Sequence, residues 1–420
     1  MYALVDCNSF FCSVEKVFHP GLEGKPVCVL SSNDGCIVAL TPEAKAVGLR
    51  RGDPIFQCRE TVDRCGVTVF STNMMLYAAM SSRVTSILRQ SVEQVENYSI
   101  DESFLNLDGY EKHYDIEEFM RGVADRVKLW TDIPVSVGVA PTKTLAKMGS
   151  KFAKKYRGYR SVCMIDSEER RRKALSLFDL DDVWGIGRRS YEKLLGLGVR
   201  TPLEFADRPI EWVQRHFSKP GVQTWKELNG FPCIDTSEIL SRQTICTSRS
   251  FGEMISSEDM LRASVATFAA SCAGKLRAQR SVAQSVTVFV MSNRFRNDLE
   301  QYCNAACVTL RVPSSDTVEL TQAAERALGQ IWRHGILYKK SGVVLGRISP
   351  DSCVQQVLFD DVRDRPARLQ LSRTIDSLNG RYGLRTVSLA VSGPDSQPWK
   401  VRSASRSGAY LTDLSEILTV

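Results

Sequence analysis

The spacing of apolar and polar positions changes several times along this 420-residue chain, and each change predicts an element. MYALVD, residues 1–6, is an apolar run of five ending on Asp6, as expected of a buried strand whose C-terminal tip carries chemistry. Val95, Ser103, Leu105 and Leu107, with Phe104 on the other parity, predict two short strands flanking SIDESF, residues 99–104. A further strand, PVSVGVA at 134–140, precedes a helical period over 142–156. At about 100° per residue, Lys143, Lys147, Lys151 and Lys154 fall within a sector of roughly 80°, and Leu145, Met148 and Phe152 lie opposite. One face of that helix is core. The other is a row of ammonium groups, which the adjacent strand end would hold toward a phosphate chain; a solvated helix face is the alternative.

Between two short helical runs, DDVWGIGRR places Gly185 and Gly187 ahead of Arg188 and Arg189, with a second Gly-Leu-Gly at Gly196 and Gly198. Glycines there allow a tight turn and expose backbone N–H groups at a helix N-terminus, which suits phosphate oxygens whatever the base sequence. A plain helix-helix turn has the same pattern. Past a loosely patterned linker at 233–244, strands are expected at 245–251, 282–291, 306–312 and 342–348, and helices at 257–278 and 320–332. The second helix repeats Leu320, Ala323, Ala324, Ala327, Leu328, Ile331 and Trp332 at steps of three and four. The order β-α-β-β-α-β is a ferredoxin-like split, a domain of its own. After Ser349 regular pattern weakens. There QQVLF, 355–359, stands out, because Leu358 and Phe359 lie in a polar tail with no evident core to fill. They either dock back on the body or enter a partner's apolar pocket.

Length alone predicts roughly three compact units. No apolar run approaches the roughly 18 residues of a membrane span, and Met1 leads directly into a strand instead of a basic and apolar leader, so the cytoplasm is the expected compartment. Thirteen cysteines are scattered without a CxxC pair, and no histidine stands at a zinc-ligand offset even from Cys303 and Cys307, so they read as reduced, mostly buried thiols. His19, His113, His216 and His334 are isolated, which argues against triad chemistry. The formal charge of +7 is modest but unevenly placed: between Lys143 and Arg200, fifteen Lys/Arg face seven Asp/Glu, a net of +8. So concentrated a stripe is an electrostatic footprint for polyanions.

Asp101 and Glu102 are neighbours in SIDESF. Neighbours in a regular strand point to opposite faces, so these two converge on one ion only if the chain bends between them, and the SIDE tetrad is where it can bend. With Asp6 they make three hard oxygen donors at strand ends, a set that suits Mg2+ and leaves room for substrate phosphates. Adjacent acids in a short polar turn are otherwise simply solvated.

Taken in order, MYALVDCNSFF, SSNDGCIVAL with TPEAKAVGLRRGDP, YSIDESF, VGVAPTKTLAK, DDVWGIGRR and QQVLF resemble the Y-family translesion DNA polymerases. The match is closest to UmuC-type catalytic subunits of bacterial DNA polymerase V, including plasmid-borne MucB-like versions, and covers essentially the entire chain. It implies an error-prone DNA-directed DNA polymerase of the SOS DNA damage response and mutagenesis, acting on primed and damaged DNA with dNTPs. The implied fold is a multidomain α+β and α/β right hand. Its parts are a ferredoxin-like palm at 1–10 and 72–161, small fingers at 11–71, a helical thumb with a helix-hairpin-helix at 162–236, a β-α-β-β-α-β little finger at 242–350, and a tail at 351–420.

By the same resemblance Asp6, Asp101 and Glu102 are the metal-binding carboxylates for two Mg2+ ions, joined by the backbone carbonyl of Cys7. Phe10 and Phe11 fall at nucleotide-binding positions, Phe11 at the steric gate where a ring excludes a 2′-OH; a core phenylalanine is the alternative. Lys154 and Lys45 match cations that hold the triphosphate. Pro42 and Lys45 stand where the family often has tyrosine and arginine, which removes a hydroxyl donor and a bidentate fork. Gly185, Gly187, Arg188 and Arg189 match the DNA-backbone turn. Gln355, Leu358 and Phe359 match the peptide that binds the sliding clamp (β subunit), and 362–420 is implied as a surface for a UmuD′-like dimer and RecA. A fingers insert of about sixty residues is too short for a tight lid, and no segment remains for a proofreading nuclease, so low-fidelity copying is implied.

Readings from other classes stay open. Another palm-type nucleotidyl transferase, such as a nucleotide cyclase, shares the carboxylates but needs neither the glycine turn, the basic stripe nor the clamp-like peptide. A non-catalytic DNA-bound scaffold predicts loss of a carboxylate, whereas all three are present. Within the family a self-sufficient DinB-type polymerase is the alternative, and ICTSRSFGE with the long tail favours the UmuC type.

Overall fold

The structure, a computed structural model, describes residues 1–235, 241–358, 360, 362–383, 385–393, 401–411 and 413–416. The chain forms two units, Met1–Ile239 with Ala404–Val420, and Leu240–Ser403, and so passes between them twice.

In the first unit β1 (Tyr2–Cys7), α1 (Phe10–Phe18), β2 (Val27–Leu30), β3 (Ile37–Leu40), α2 (Pro42–Ala46), α3 (Ile55–Arg64), β4 (Thr68–Ser71), α4 (Met74–Ser91), β5 (Gln94–Asn97), β6 (Glu102–Asn106), α5 (Ile116–Thr131), β7 (Val135–Ala140), α6 (Lys143–Lys155) and β8 (Val162–Met164) build two sheets. The larger has the order β5-β6-β1-β7-β8, antiparallel except where β8 joins β7. Both faces are covered, which is why β1 reads as an unbroken apolar run. Ala3, Val5, Leu105, Val137 and Val139 share one core with Val14 of α1, Met80 of α4 and Val123 of α5. Leu4, Phe104 and Ala140 face the other way, onto Leu145, Met148 and Phe152 of α6.

Gly138 sets how closely α6 approaches the sheet. A Cβ there would stand 1.9 Å from the carbonyl oxygen of Ala146 and 2.1 Å from the nitrogen of Ser150, so only glycine lets the helix lie on β7 at this depth. Thr142 caps α6 by accepting from Leu145 N at 3.3 Å. The smaller sheet, β3-β2-β4, encloses Cys28, Leu30, Ile37, Leu40 and Leu49. Beyond β8, α7 (Glu168–Leu177), α8 (Arg188–Gly196), α9 (Pro202–Ala206), α10 (Ile210–His216) and α11 (Lys219–Leu228) gather around Leu175, Leu194, Phe205, Val213 and Leu228, continuous with the α6 core. Buried Glu227 ties them to α6: its Oε2 accepts from Thr144 N at 3.0 Å and its Oε1 from Cys233 N at 2.8 Å.

The second unit has the expected β-α-β-β-α-β order in β9 (Ile245–Ile255), α12 (Glu258–Ala278), β10 (Ser281–Ser292), β11 (Cys303–Ser314), α13 (Thr317–Ile331) and β12 (Tyr338–Pro350), each strand longer than its apolar alternation marks. The sheet is antiparallel throughout, in the order β11-β10-β12-β9. Phe268 and Leu276 of α12 and Leu320 and Leu328 of α13 pack on it.

One element escaped the periodicity reading. α14 (Arg365–Tyr382) lies where regular pattern weakens. It is held by charge, through Arg277 to Asp376 at 2.6 Å, Arg365 to Glu319 at 2.9 Å and Arg368 to Asp316 at 3.1 Å. A helix docked by polar side chains has no apolar stripe for periodicity to reveal. Its capping signal was legible: Asp364 accepts from Ala367 N at 3.1 Å, with Pro366 in the first turn. Among the described residues no helix is long and apolar enough to cross a membrane.

Candidate active site

Asp6 of β1 and Glu102 of β6 stand directly opposite in register. By parity both share the face of Leu4 and Phe104, the one that carries α6. Glu96, opposite Phe104 in β5, joins them. Acids from three adjacent strands therefore meet the lysine face of α6. Lys154 Nζ donates to Asp6 Oδ1 at 2.8 Å, Lys147 to Glu102 Oε2 at 2.8 Å and Lys143 to Glu96 Oε2 at 2.6 Å, while Lys151 pairs with Asp182. The expected row of ammonium groups is present with each member paired to a carboxylate, and its first member is withdrawn from solvent. Lys143 is 2% exposed and lies beside the rings of Tyr2 and Phe104, because Glu96 supplies a counter-charge within the fold.

The bend that the acid pair requires is the hairpin joining β5 to β6. Ser99 Oγ accepts from Asp101 N at 3.3 Å and Glu102 N at 3.1 Å, and donates to Asp101 Oδ1 at 2.5 Å. The backbone N–H groups of Tyr98 and Ser99 both donate to the Glu102 carbonyl at 3.1 Å. Cys7 N donates to the Asp101 carbonyl at 2.9 Å, which pins the turn to the end of β1. Asp101 therefore sits at the strand tip beside Cys7, while Glu102 opens β6.

Burial raises the pKa of Asp6, offset by Lys154 and reinforced by the charge of Asp101. Burial likewise raises Glu102, offset by Lys147 and reinforced by Asp6 and Asp101. A hard cation relieves mutual repulsion of this kind. With Asp6 and Glu102 turned onto lysines, no three His, Cys, Asp or Glu side chains among the described residues gather as a ligand set, and ammonium groups supply the counter-charge. Three carboxylates at neighbouring strand ends are the donor chemistry that Mg2+ takes.

Phe10 packs its ring in the core at 3% exposure. Phe11 is half-buried and stacks on Tyr77, with ring centroids 4.5 Å apart and planes 16° from parallel. Lys45 is exposed on α2, whose first turn carries Pro42 behind the cap Thr41. The Ser9 hydroxyl donates to the Leu40 carbonyl at 3.0 Å and so brings the start of α2 next to the start of α1.

Gly185 has φ +96°, and a Cβ would meet Thr224 Oγ1 at 2.1 Å, so packing on α11 demands glycine as much as the turn does. Gly187 is the N-cap of α8; Arg188 and Arg189 are exposed, Arg188 pairing with Glu192 at 2.8 Å. In the tail, Gln355 is exposed and Leu358 is 90% exposed, so Leu358 has not docked on the body; Phe359 lies outside the described residues.

Sequence reasoning missed the aromatic pair beside Glu102. Trp184, just ahead of Gly185, donates its indole N–H to the Tyr98 hydroxyl at 3.0 Å, and Lys147 Nζ lies 4.7 Å from the centroid of the Tyr98 ring. The glycine turn and the carboxylate hairpin are thereby in direct contact. The nearness of Trp184 to the turn was the only signal, and it could not say which ring Trp184 would meet.

A five-stranded sheet with carboxylates at one end, a helical part bearing a glycine turn and a separate β-α-β-β-α-β unit together define the Y-family DNA polymerase fold. A solved Y-family chimera, Dbh-Dpo4(243-245)-Dbh, superposes with a TM-score of 0.64 over 83% of this chain and 99% of that one, at 20% identity. Residues 5–151 match the impB/mucB/samB family, 242–358 the C-terminal domain of that family, and 370–420 a domain of unknown function, DUF4113. The chain is 39% identical to protein UmuC of Salmonella typhimurium over 100% of both chains, and 40% identical to protein ImpB of Salmonella typhimurium over 99% of both. It belongs to the impB/mucB/samB family.

Proposed function

We propose that this chain, an error-prone translesion DNA-directed DNA polymerase of the UmuC type, is the catalytic subunit of a polymerase V-like complex in the cytoplasm, with Asp6, Asp101 and Glu102 as its catalytic carboxylates. The observation that carries the reading is the convergence of Asp6 from β1 with the Asp101–Glu102 hairpin at one end of the sheet, beneath the lysines of α6. The chemistry that two Mg2+ ions supply, when held by these carboxylates and the Cys7 carbonyl, is neutralisation of charge on the α-phosphate and the departing pyrophosphate.

The rest falls to the chain's own residues. Lys154, released from Asp6, grips the triphosphate together with Lys45. Phe11 lies under the sugar and blocks a 2′-OH. Gly185, Gly187, Arg188 and Arg189 hold the DNA backbone through its phosphates, whatever the sequence. In this reading 1–10 and 72–161 are palm, 11–71 fingers, 162–236 thumb and 242–350 little finger. Gln355, Leu358 and Phe359 bind the sliding clamp, a role supported by the exposure of Leu358. A UmuD′-like dimer and RecA engage the tail beyond.

Primer extension across an abasic template with Mg2+, with and without clamp, UmuD′-like dimer and RecA, tests the reading. Addition opposite and past the lesion is expected from the wild type and none from Asp101→Ala. Extension by that variant at the wild-type rate would remove the carboxylates from the chemistry.

A further inference from the structure

One buried carboxylate lies outside this chemistry. Glu15 of α1 is 0% exposed, and its Oε1 accepts from the Tyr77 hydroxyl at 2.6 Å and from the Ser407 hydroxyl at 3.0 Å. Tyr77, also fully buried, is the ring on which Phe11 stacks. Ser407 belongs to a C-terminal segment that returns to the first unit and is fastened there at several points. Ser405 N donates to Ser71 Oγ at 3.0 Å, and the Ser405 carbonyl accepts from Ser71 N at 2.9 Å. The side-chain amide of Asn73 donates to the Ser407 carbonyl at 3.1 Å, to its hydroxyl at 3.0 Å and to the Gly408 carbonyl at 3.2 Å. Tyr410 stacks on Phe18 with ring centroids 5.1 Å apart. A directed relay results: Asn73 donates to the Ser407 hydroxyl, which donates to Glu15, which also holds Tyr77.

We propose that residues 404–411 are a positioning element for the sugar gate, acting through Ser407, Glu15 and Tyr77 on Phe11. This rests on the reading of Phe11 as that gate. A ring that excludes a 2′-OH must resist displacement by a fraction of an ångström, and its stiffness comes from what backs it. Phe11 is backed by Tyr77. The position of Tyr77 is held by its ring packing and by one hydroxyl bond to a carboxylate oxygen, and Ser407 is the second donor that fixes that oxygen. Discrimination between deoxy- and ribonucleotides therefore depends on a segment nearly the whole chain away in sequence. Ser407, Glu15 and Tyr77 are positioning residues: none of them touches the sugar.

Single-nucleotide incorporation on a primed template by full-length variants decides it, with kcat/KM measured for a dNTP and the matching rNTP. Phe11→Ala should relax the ratio strongly. Ser407→Ala and Tyr77→Phe should each lower it roughly two- to tenfold, the range of one net hydrogen bond, through a lower KM for the rNTP, and Ser407→Ala should keep the wild-type kcat for the dNTP. Glu15→Gln retains an acceptor for both hydroxyls and should keep the wild-type ratio, which a nonspecific loosening of the core would not. If Phe11→Ala relaxes the ratio while Ser407→Ala and Tyr77→Phe leave it unchanged, the segment is merely docked and the proposal is overturned with the gate intact. If Phe11→Ala itself changes nothing, the gate reading falls and takes the proposal with it.

Discussion

Lys154 Nζ lies 2.8 Å from Asp6 Oδ1, so a lysine assigned to the triphosphate and a carboxylate assigned to metal neutralise one another across the sheet face. Both are partly exposed, which keeps the exchange of partners accessible to substrate. Nucleotide and cation together would replace this pair with two new ones. Replacing Lys154 with Gln should therefore lower kcat/KM for dNTPs about ten- to a hundredfold, the range for a hydrogen bond to a charged group. Steady-state kinetics check it, and an unchanged kcat/KM would make Lys154 a partner of Asp6 alone.

The carboxylates should separate chemistry from binding. Glu102→Gln keeps a side-chain oxygen to accept from Lys147 and leaves the pairing of β1 with β6 untouched, so the fold should survive. We expect nucleotide addition to vanish while affinity for primed DNA, read by fluorescence anisotropy, stays within about twofold of wild type. A parallel loss of DNA affinity would place Glu102 in the DNA site instead.

Gly138 offers a stability test that leaves the chemistry aside. A methyl there must displace backbone atoms of α6 at Ala146 and Ser150, which no rotamer change can relieve. Gly138→Ala should cost the first unit about 3 kcal/mol in urea denaturation. A loss below about 1 kcal/mol would mean that α6 slides along β7 without harm.

Burial raises the pKa of Glu15, outweighing the bonds from Tyr77 and Ser407 that favour its charged form. The sign follows from linkage: a carboxyl whose folded pKa lies above its unfolded value contributes stability below the ordinary carboxylate range and loses it as pH rises through the folded value. Glu15→Gln cannot ionise and should lack that decline. The urea midpoint of Glu15→Gln minus that of wild type should therefore grow from pH 4 toward neutral pH and then level off. A difference constant with pH would show that Glu15 titrates normally.

Leu358 presents an exposed side chain two residues ahead of Asp360, which ties the chain to α14 through Arg365. If it anchors clamp binding, Leu358→Ala should weaken clamp affinity by about thirtyfold or more, the effect of a central apolar anchor. Clamp-independent extension should be spared. Undiminished clamp stimulation would return the peptide to a plain surface loop.

From the chain alone, periodicity marks β1, the strands around SIDESF, the lysine face of α6 and the β-α-β-β-α-β order of the second unit, because each pattern is local and set by which face is buried. The three carboxylates were equally legible, since an acid at the end of an apolar run and a pair of acids in a turn stand out against their neighbours. Partners were not. Lys143 and Lys154 occupy one helix face and look alike in sequence, yet Lys143 is sealed against Glu96 and Lys154 meets Asp6 at the open end, a difference made by the strand opposite each. The helix α14 escaped because ion pairs, not an apolar stripe, hold it. Tertiary structure alone decided that Ser407 would meet Glu15, since a single hydrogen bond between residues 392 positions apart leaves no periodic trace; the fold of everything between them brings them together.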